Sequence, residues 1–219
     1  YDDLGILSSE PELGEDLSRL FNELSGHSAK HDYSRILVAP HSLRKGLLSR
    51  IHRETKNHLE GKTAWIRLKL NSLLDEEIIA ALYEAADAGV KIEIIVRGIC
   101  ALQFSTQAQR DNIKVRSILG RFLEHSRIYY FKNDGAEEYY IGSADMMQRN
   151  LDRRVEALVR IDAEKHKDRL RHILDDSVSE NYSTWSLLDD NQWQRKARDF
   201  DGNLLVNFQD YFVEKHNRA

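Results

Sequence analysis

Gly120-Arg121-Phe122-Leu123-Glu124-His125-Ser126-Arg127 runs straight into the apolar stretch Ile128-Tyr129-Tyr130-Phe131. It is answered downstream by Gly142-Ser143-Ala144-Asp145 and by Asn150-Leu151-Asp152-Arg153-Arg154. A histidine at the mouth of a strand can take or give a proton near neutral pH, bond a phosphate oxygen, or attack phosphorus. Gly142 permits an unusual backbone angle or a tight approach, and Ser143 offers a hydroxyl donor. Arg153 and Arg154 bring fixed positive charge, with Asp152 close enough in sequence to orient either. Such a set can surround a phosphate or stabilise a phosphoryl group in flight. Each member alone is also an ordinary turn or surface feature, so the information lies in the ensemble.

Arg97 is a second candidate, because it ends the apolar run Val90-Lys91-Ile92-Glu93-Ile94-Ile95-Val96 and is joined to Gly98. In open α/β sheets ligands gather outside the carboxyl ends of strands. There the guanidinium fork can hold two phosphate oxygens while the glycine allows close approach. Arg121 and Arg149 are further candidates for the same electropositive mouth. His27, His31, His41, His52, His58, His166, His172 and His216 have no comparable setting and default to surface or local bonding, His41 being the nearest to a strand end. Asp145, Asp152 and Glu156 could meet a magnesium ion, but their spacing does not require one and no metal site is assigned. There is no Walker loop and no dinucleotide-binding glycine fingerprint.

These residues need a scaffold, and the chain reads as α/β. Its 219 residues, 41% of them hydrophobic, suffice for a substantial core. A net charge of −4 from 36 acidic and 32 basic side chains argues against a polybasic nucleic-acid binder. The single cysteine, Cys100, rules out an intrachain disulfide framework and a Cys-rich zinc site, and favours a reducing compartment. No run has the length of a transmembrane helix and the start is no signal peptide. The chain opens at Tyr1 without Met, which points to a piece of a longer protein.

Ser9-Glu10-Pro11-Glu12 predicts a helix start with Ser9 as cap, and Leu13, Leu17, Leu20, Phe21 and Leu24 follow at helical spacing. Gly26 to His31 reads as a linker. Strands are expected at Ile36–Ala39, Ala64–Leu70 and Val90–Val96. Between them lie a helix capped by Ser42 that runs to about Glu60, and one carrying Ile78, Ile79, Leu82, Tyr83 and Ala86. This βαβαβ succession predicts a largely parallel run of strands covered by helices. Further strands are expected at Ile113–Leu119, Arg127–Phe131, Glu138–Ile141 and Val155–Ile161, then a helix at Ala163–Leu174. A hairpin of Thr184–Leu188 with Gln192–Ala197 follows, and then a final helix from Leu204 to about Glu214 with a purely structural role.

The chain resembles, along essentially its whole length, the polyphosphate kinase family of the long, phosphohistidine-forming type. The resemblance is carried by Tyr1-Asp2-Asp3-Leu4-Gly5, Val38-Ala39-Pro40, Leu68-Lys69-Leu70-Asn71-Ser72-Leu73 and Asp87-Ala88-Gly89-Val90-Lys91. Val96-Arg97-Gly98-Ile99-Cys100, Gly120 to Arg127, Ile141 to Asp145 and Asn150 to Arg154 complete it. It implies a phospholipase D-like mixed sheet with flanking helices, as one of two catalytic subdomains around a phosphate-lined tunnel. On this reading residues 1–31 are the tail of the preceding catalytic subdomain and a linker, and 32–219 are the carboxyl-terminal catalytic subdomain. The implied reaction is reversible transfer of the terminal phosphate of ATP to inorganic polyphosphate, with Mg2+.

Carried over residue by residue, the resemblance makes Tyr1 a nucleotide contact, Arg97 and His125 nucleotide- and phosphate-binding residues, and Arg154 part of the same surface. Arg121 and Ser143 join that set from the residue reading above. The match departs from related phospholipase-type sites. Their His-x-Lys is His125-Ser126-Arg127 here, and their Gly-Ser-x-Asn is Gly142-Ser143-Ala144-Asp145. This looks like the family's modified second half-site, with the phosphorylated histidine and the magnesium ligands upstream of Tyr1. His125 is then a phosphate ligand and proton donor or acceptor rather than the nucleophile, and the stretch alone is expected to lack turnover. The implied partners are ATP or ADP, polyphosphate and the missing amino-terminal half of the chain, with no nucleic acid, a homo-oligomeric parent and a cytoplasmic, or peripherally membrane-associated, location. The competing readings are a phospholipase D-like phosphodiesterase and a non-catalytic phosphate-binding module.

Overall fold

The computed structural model describes residues 1–27 and 32–217, so His31 and most of the expected linker lie outside the described residues. In chain order the elements are α1 (Pro11–Leu24), β1 (Ile36–Ala39), α2 (Leu43–Leu59), β2 (Trp65–Leu70), α3 (Glu76–Asp87), β3 (Lys91–Val96), α4 (Gln107–Asn112) and β4 (Ile113–Ser117). There follow β5 (Ile128–Phe131), β6 (Glu138–Gly142), α5 (Gln148–Arg153), β7 (Glu156–Ile161), α6 (Glu164–Val178), β8 (Tyr182–Leu187), β9 (Trp193–Lys196), β10 (Val206–Asn207) and α7 (Phe208–Asn217).

Among the described residues the strands form one mixed sheet in the order β1-β7-β6-β5-β2-β3-β4-β8-β10, with β9 paired to β8. Alternation along the strands divides the core into two layers. Ile66, Leu68 and Leu70 of β2 and Ile92, Ile94 and Val96 of β3 meet the inner faces of α2 and α3, through Leu43, Leu47, Ile51, Ile78 and Leu82. On the other face Ile128, Tyr130, Tyr139 and Ile141 meet Leu170, Ile173 and Leu174 of α6 and Phe208 of α7. Leu13 and Leu20 of α1 cover Ile36 and Val38 of β1. Among the described residues no helix is long and apolar enough to cross a membrane.

Mixed sheet and flanking helices are as expected, but the parallel run comprises other strands than the expected β1, β2 and β3. β2, β3 and β4 are parallel neighbours. β1, by contrast, lies at the far edge, antiparallel to β7. β5 and β6 form a hairpin that enters between β2 and β7, so β1 never meets β2. A hydrophobic pattern specifies that a segment is a strand, not which strand it pairs with.

Local details also shift. Glu10, not Ser9, precedes α1, and it makes no side-chain cap; Pro11 at the first turn starts the helix. Ser42 does not cap α2 through its side chain, because its hydroxyl bonds back to the Val38 backbone. Asp75 does cap α3, accepting from Ile78 N at 3.1 Å. The last helix starts at Phe208, and Leu204 is exposed.

Candidate active site

The strand register turns one edge of the sheet into a shared rim. Lys69 stands opposite Ile128, Ile128 opposite Ile141, Gly142 opposite Leu158, Ala39 opposite Glu156, and Leu70 opposite Val96. The carboxyl ends of β1, β2, β3 and β6 therefore lie beside the amino ends of β5 and β7. Arg97 follows β3, His125 precedes β5, Ser143 follows β6 and Arg154 precedes β7, so all of them emerge at this edge. At about 4.8 Å per strand, Arg97 and Arg154 stand roughly 10 Å along the rim from His125, on opposite sides of it.

The loops leaving the rim are stitched together. Leu73 forms bridges to both Cys100 and Met146. Leu73 N donates to Ile99 O at 2.9 Å and Met146 N to Ser72 O at 3.1 Å. Gly98 is needed because its backbone is pressed on Asn71, where a Cβ would come within 2.7 Å of the carbonyl oxygen. Gly142 is tighter still: a Cβ there would lie 1.9 Å from Ala157 O. Both glycines serve close packing of backbone on backbone.

At the centre of the rim is a chain of charged groups. Arg97 Nε donates to Asn71 Oδ1 at 3.1 Å. Asn71 is buried, its own N–H donates to Asp145 Oδ1 at 2.7 Å, and its Nδ2 has no hydrogen-bond partner. Asp145 in turn accepts from Arg127 Nη2 at 3.0 Å and Nε at 3.3 Å. Arg127 Nη1 donates to the His125 carbonyl at 2.9 Å and lies within hydrogen-bond distance of the imidazole, 3.2 Å from Nδ1 and 3.1 Å from Nε2. Arg127 and Asp145, the two positions that depart from the His-x-Lys and Gly-Ser-x-Asn patterns, thus pair with each other.

His125 is half-buried. Its Nδ1 lies 2.7 Å from Asp3 Oδ2, and the Tyr1 ring meets it edge-on with centroids 5.1 Å apart. Burial works to raise the Asp3 carboxyl. The hydrogen bond to His125, the Leu4 N–H and the charges of His125 and Arg127 outweigh it and hold the group below the ordinary carboxylate range. With Nδ1 facing Asp3, Nε2 is the ring nitrogen left to exchange a proton, and when protonated it can donate to a phosphate oxygen. The flanking residues are anchored: Lys69 Nζ donates to Glu124 Oε2 at 2.8 Å and to Ser126 Oγ at 2.7 Å. Asp2 pairs with the loop backbone, donating to Leu123 O and accepting from His125 N, both at 2.8 Å. Tyr1, Asp3, Lys69, Phe122, Phe208 and Gln209 are among the residues that line a cavity of about 320 Å³ next to this loop.

Of the residues singled out from sequence, Tyr1, His125 and Arg97 join this chain, directly or through Arg127, Asp145 and Asn71. Ser143 is exposed on the same rim, its Oγ accepting from Ala157 N at 3.3 Å. Arg154 is exposed on the rim with its guanidinium 3.9 Å from Glu156, and it has no direct contact with His125. Arg121 is exposed and lies over the Phe122 ring, 5.5 Å from its centroid. Sequence reasoning missed Lys69, Asn71 and Asp3 as site residues. The signal for Lys69 was a charged side chain inside an apolar strand.

Among the described residues no three histidine, cysteine or carboxylate side chains group to hold a metal. Asp145 faces Arg127, Asp152 faces Arg44, and Glu156 accepts from Asn150 at 2.6 Å. These residues do not fit a magnesium site.

A sequence profile for polyphosphate kinase C-terminal domain 2 matches residues 36–207. The polyphosphate kinase of Streptomyces coelicolor is 50% identical over 218 residues, covering 100% of this chain and 29% of that protein. The polyphosphate kinase of Mycobacterium avium is 45% identical over 216 residues, 99% of this chain and 29% of that protein. The crystal structure of polyphosphate kinase from Porphyromonas gingivalis superposes with a TM-score of 0.87 at 33% identity, over 97% of this chain and 33% of that one. The chain spans 29% of the length of the curated relatives it matches here.

Proposed function

This chain belongs to the polyphosphate kinase family, and on that premise we propose that it is the phosphate-ordering part of an enzyme that moves the terminal phosphate of ATP reversibly to inorganic polyphosphate. The observation that carries the proposal is the rim, where Arg97, His125, Arg127 and Arg154 emerge along one sheet edge. Arg97 is oriented through Nε by Asn71, which leaves its terminal nitrogens to bind two oxygens of an anion. The unpartnered Asn71 Nδ2 adds a buried donor beside it. His125, oriented by Asp3, holds a phosphate oxygen or moves a proton at Nε2. Arg154 and Ser143 extend the anion-binding line, and the Tyr1 ring contacts the nucleotide.

In this reading the nucleophilic histidine and the magnesium ligands come from the remainder of the parent protein, and the 219 residues alone do not turn over. Residues 1–31 belong with the preceding catalytic subdomain and 32–219 with the carboxyl-terminal one. The test is ATP-dependent polyphosphate synthesis by the full-length parent with His125→Ala and Arg97→Ala. Each change should remove about 2–4 kcal/mol of transition-state binding, roughly 30- to 1,000-fold in kcat/KM, with folding retained. Wild-type turnover by both variants, or hydrolysis of a phosphodiester in place of phosphoryl transfer, would overturn the proposal.

A further inference from the structure

We propose that Gln209, on the carboxyl-terminal helix, is a positioning residue for His125, acting through the loop that carries the imidazole. This rests on the reading of His125 as a phosphate-handling group. Residues 118–127 connect β4 to β5 without regular secondary structure of their own, so their backbone groups must find partners elsewhere. Gln209 supplies them at the middle of the loop. Its Oε1 accepts from Phe122 N at 2.7 Å and its Nε2 donates to Phe122 O at 2.7 Å, as a neighbouring strand would. The same Nε2 donates to Glu124 Oε1 at 2.9 Å. The acceptor and both donors of the amide are thereby used on residues one to three positions before His125.

The other holds on the loop make this contact consequential. Lys69 takes the second oxygen of Glu124 and the hydroxyl of Ser126, so both neighbours of His125 are tied down. Asp2 pairs with the loop backbone between Leu123 and Ser126. Removing Gln209 leaves Phe122 N–H and C=O unpaired and Glu124 with one partner fewer. Gln209 is itself fixed. It is 1% exposed, its N–H donates to Asn207 Oδ1 at 2.8 Å, and the adjacent Phe208 packs against the rings of Tyr182 and Phe212. Gly120 admits the amide, since a Cβ there would meet Gln209 Oε1 at 2.4 Å.

The experiment uses the full-length parent kinase with Gln209→Met, which keeps length and lacks the amide, and Gly120→Ala, which pushes on the amide from the loop side. Turnover is normalised to the folded fraction from near-UV circular dichroism. Each variant should lose about 10- to 100-fold in kcat, the scale of a catalytic group misplaced by about 1 Å, with the KM for ATP changed less than about threefold. The double variant should lose no more than the worse single one, because both disrupt one contact. Should Gln209→Met not fold, Gly120→Ala decides. Wild-type kcat in a folded variant, a loss that follows only the folded fraction, or additive losses would overturn the inference. His125→Ala separates the two levels: if it too turns over normally, the reading of His125 fails; if it alone is inactive, only the role of Gln209 fails.

Discussion

Replacing Lys69 by Met should destabilise this chain by about 3–5 kcal/mol at neutral pH. The ammonium and the Glu124 carboxylate are 2.8 Å apart, and each side chain is 4% exposed. Met keeps most of the apolar stem but strands the carboxylate, whose remaining side-chain donor is Gln209 at 2.9 Å. A lost surface pair would cost only a few tenths to 1 kcal/mol, so burial is what sets the larger figure. In urea, with a slope of about 2–3 kcal/mol per M, the midpoint should fall by about 1–2.5 M. Combining Lys69→Met with Glu124→Gln should recover most of the loss, giving a coupling energy of about 2 kcal/mol or more. A loss below about 1 kcal/mol for Lys69→Met, or additive behaviour in the double variant, would refute the view that this pair is a buried anchor of the His125 loop.

Three other outcomes are expected. Glu137 is held at a pKa of about 2: burial opposes this, but hydrogen bonds from Lys132, Arg171 and Tyr130 prevail. Its contribution is complete above the unfolded carboxyl value and disappears as pH falls toward about 2, so Glu137→Gln should cost about 2–3 kcal/mol at pH 7 and flatten acid unfolding below pH 4.5. Gly142→Ala must separate β6 from β7 at Ala157 and should cost about 3 kcal/mol, seen as a Tm lower by about 6–12 °C; an unchanged Tm would contradict the close approach. Asp3→Asn in the full-length parent should lower kcat about 10- to 100-fold by freeing the imidazole from its orienting carboxylate, and a wild-type rate would show that this contact is not used.

Much of the scaffold was legible because local chemistry specifies it. Apolar runs marked β2 and β3, the spacing of Ile78, Ile79 and Leu82 marked α3, and the turn after Leu188 marked the β8–β9 hairpin. The short helices α4 and α5 were not read as helices, since six residues carry too little periodicity to stand out. Within the site, Arg97 and His125 were legible because each charged or titratable group abuts an apolar strand, and Gly98 and Gly142 because small residues follow strand ends.

Pairing and partnership were decided only by tertiary structure. The sequence determined the longer strands and helices, and which side chains have the chemistry to handle phosphate. It did not determine that β5 and β6 separate β1 from β2, that Arg127 and Asp145 pair, or that Lys69 and Gln209 meet at Glu124. Those contacts join residues 18 to 85 positions apart. Their geometry depends on the simultaneous burial of both sheet faces, which no local window of residues encodes.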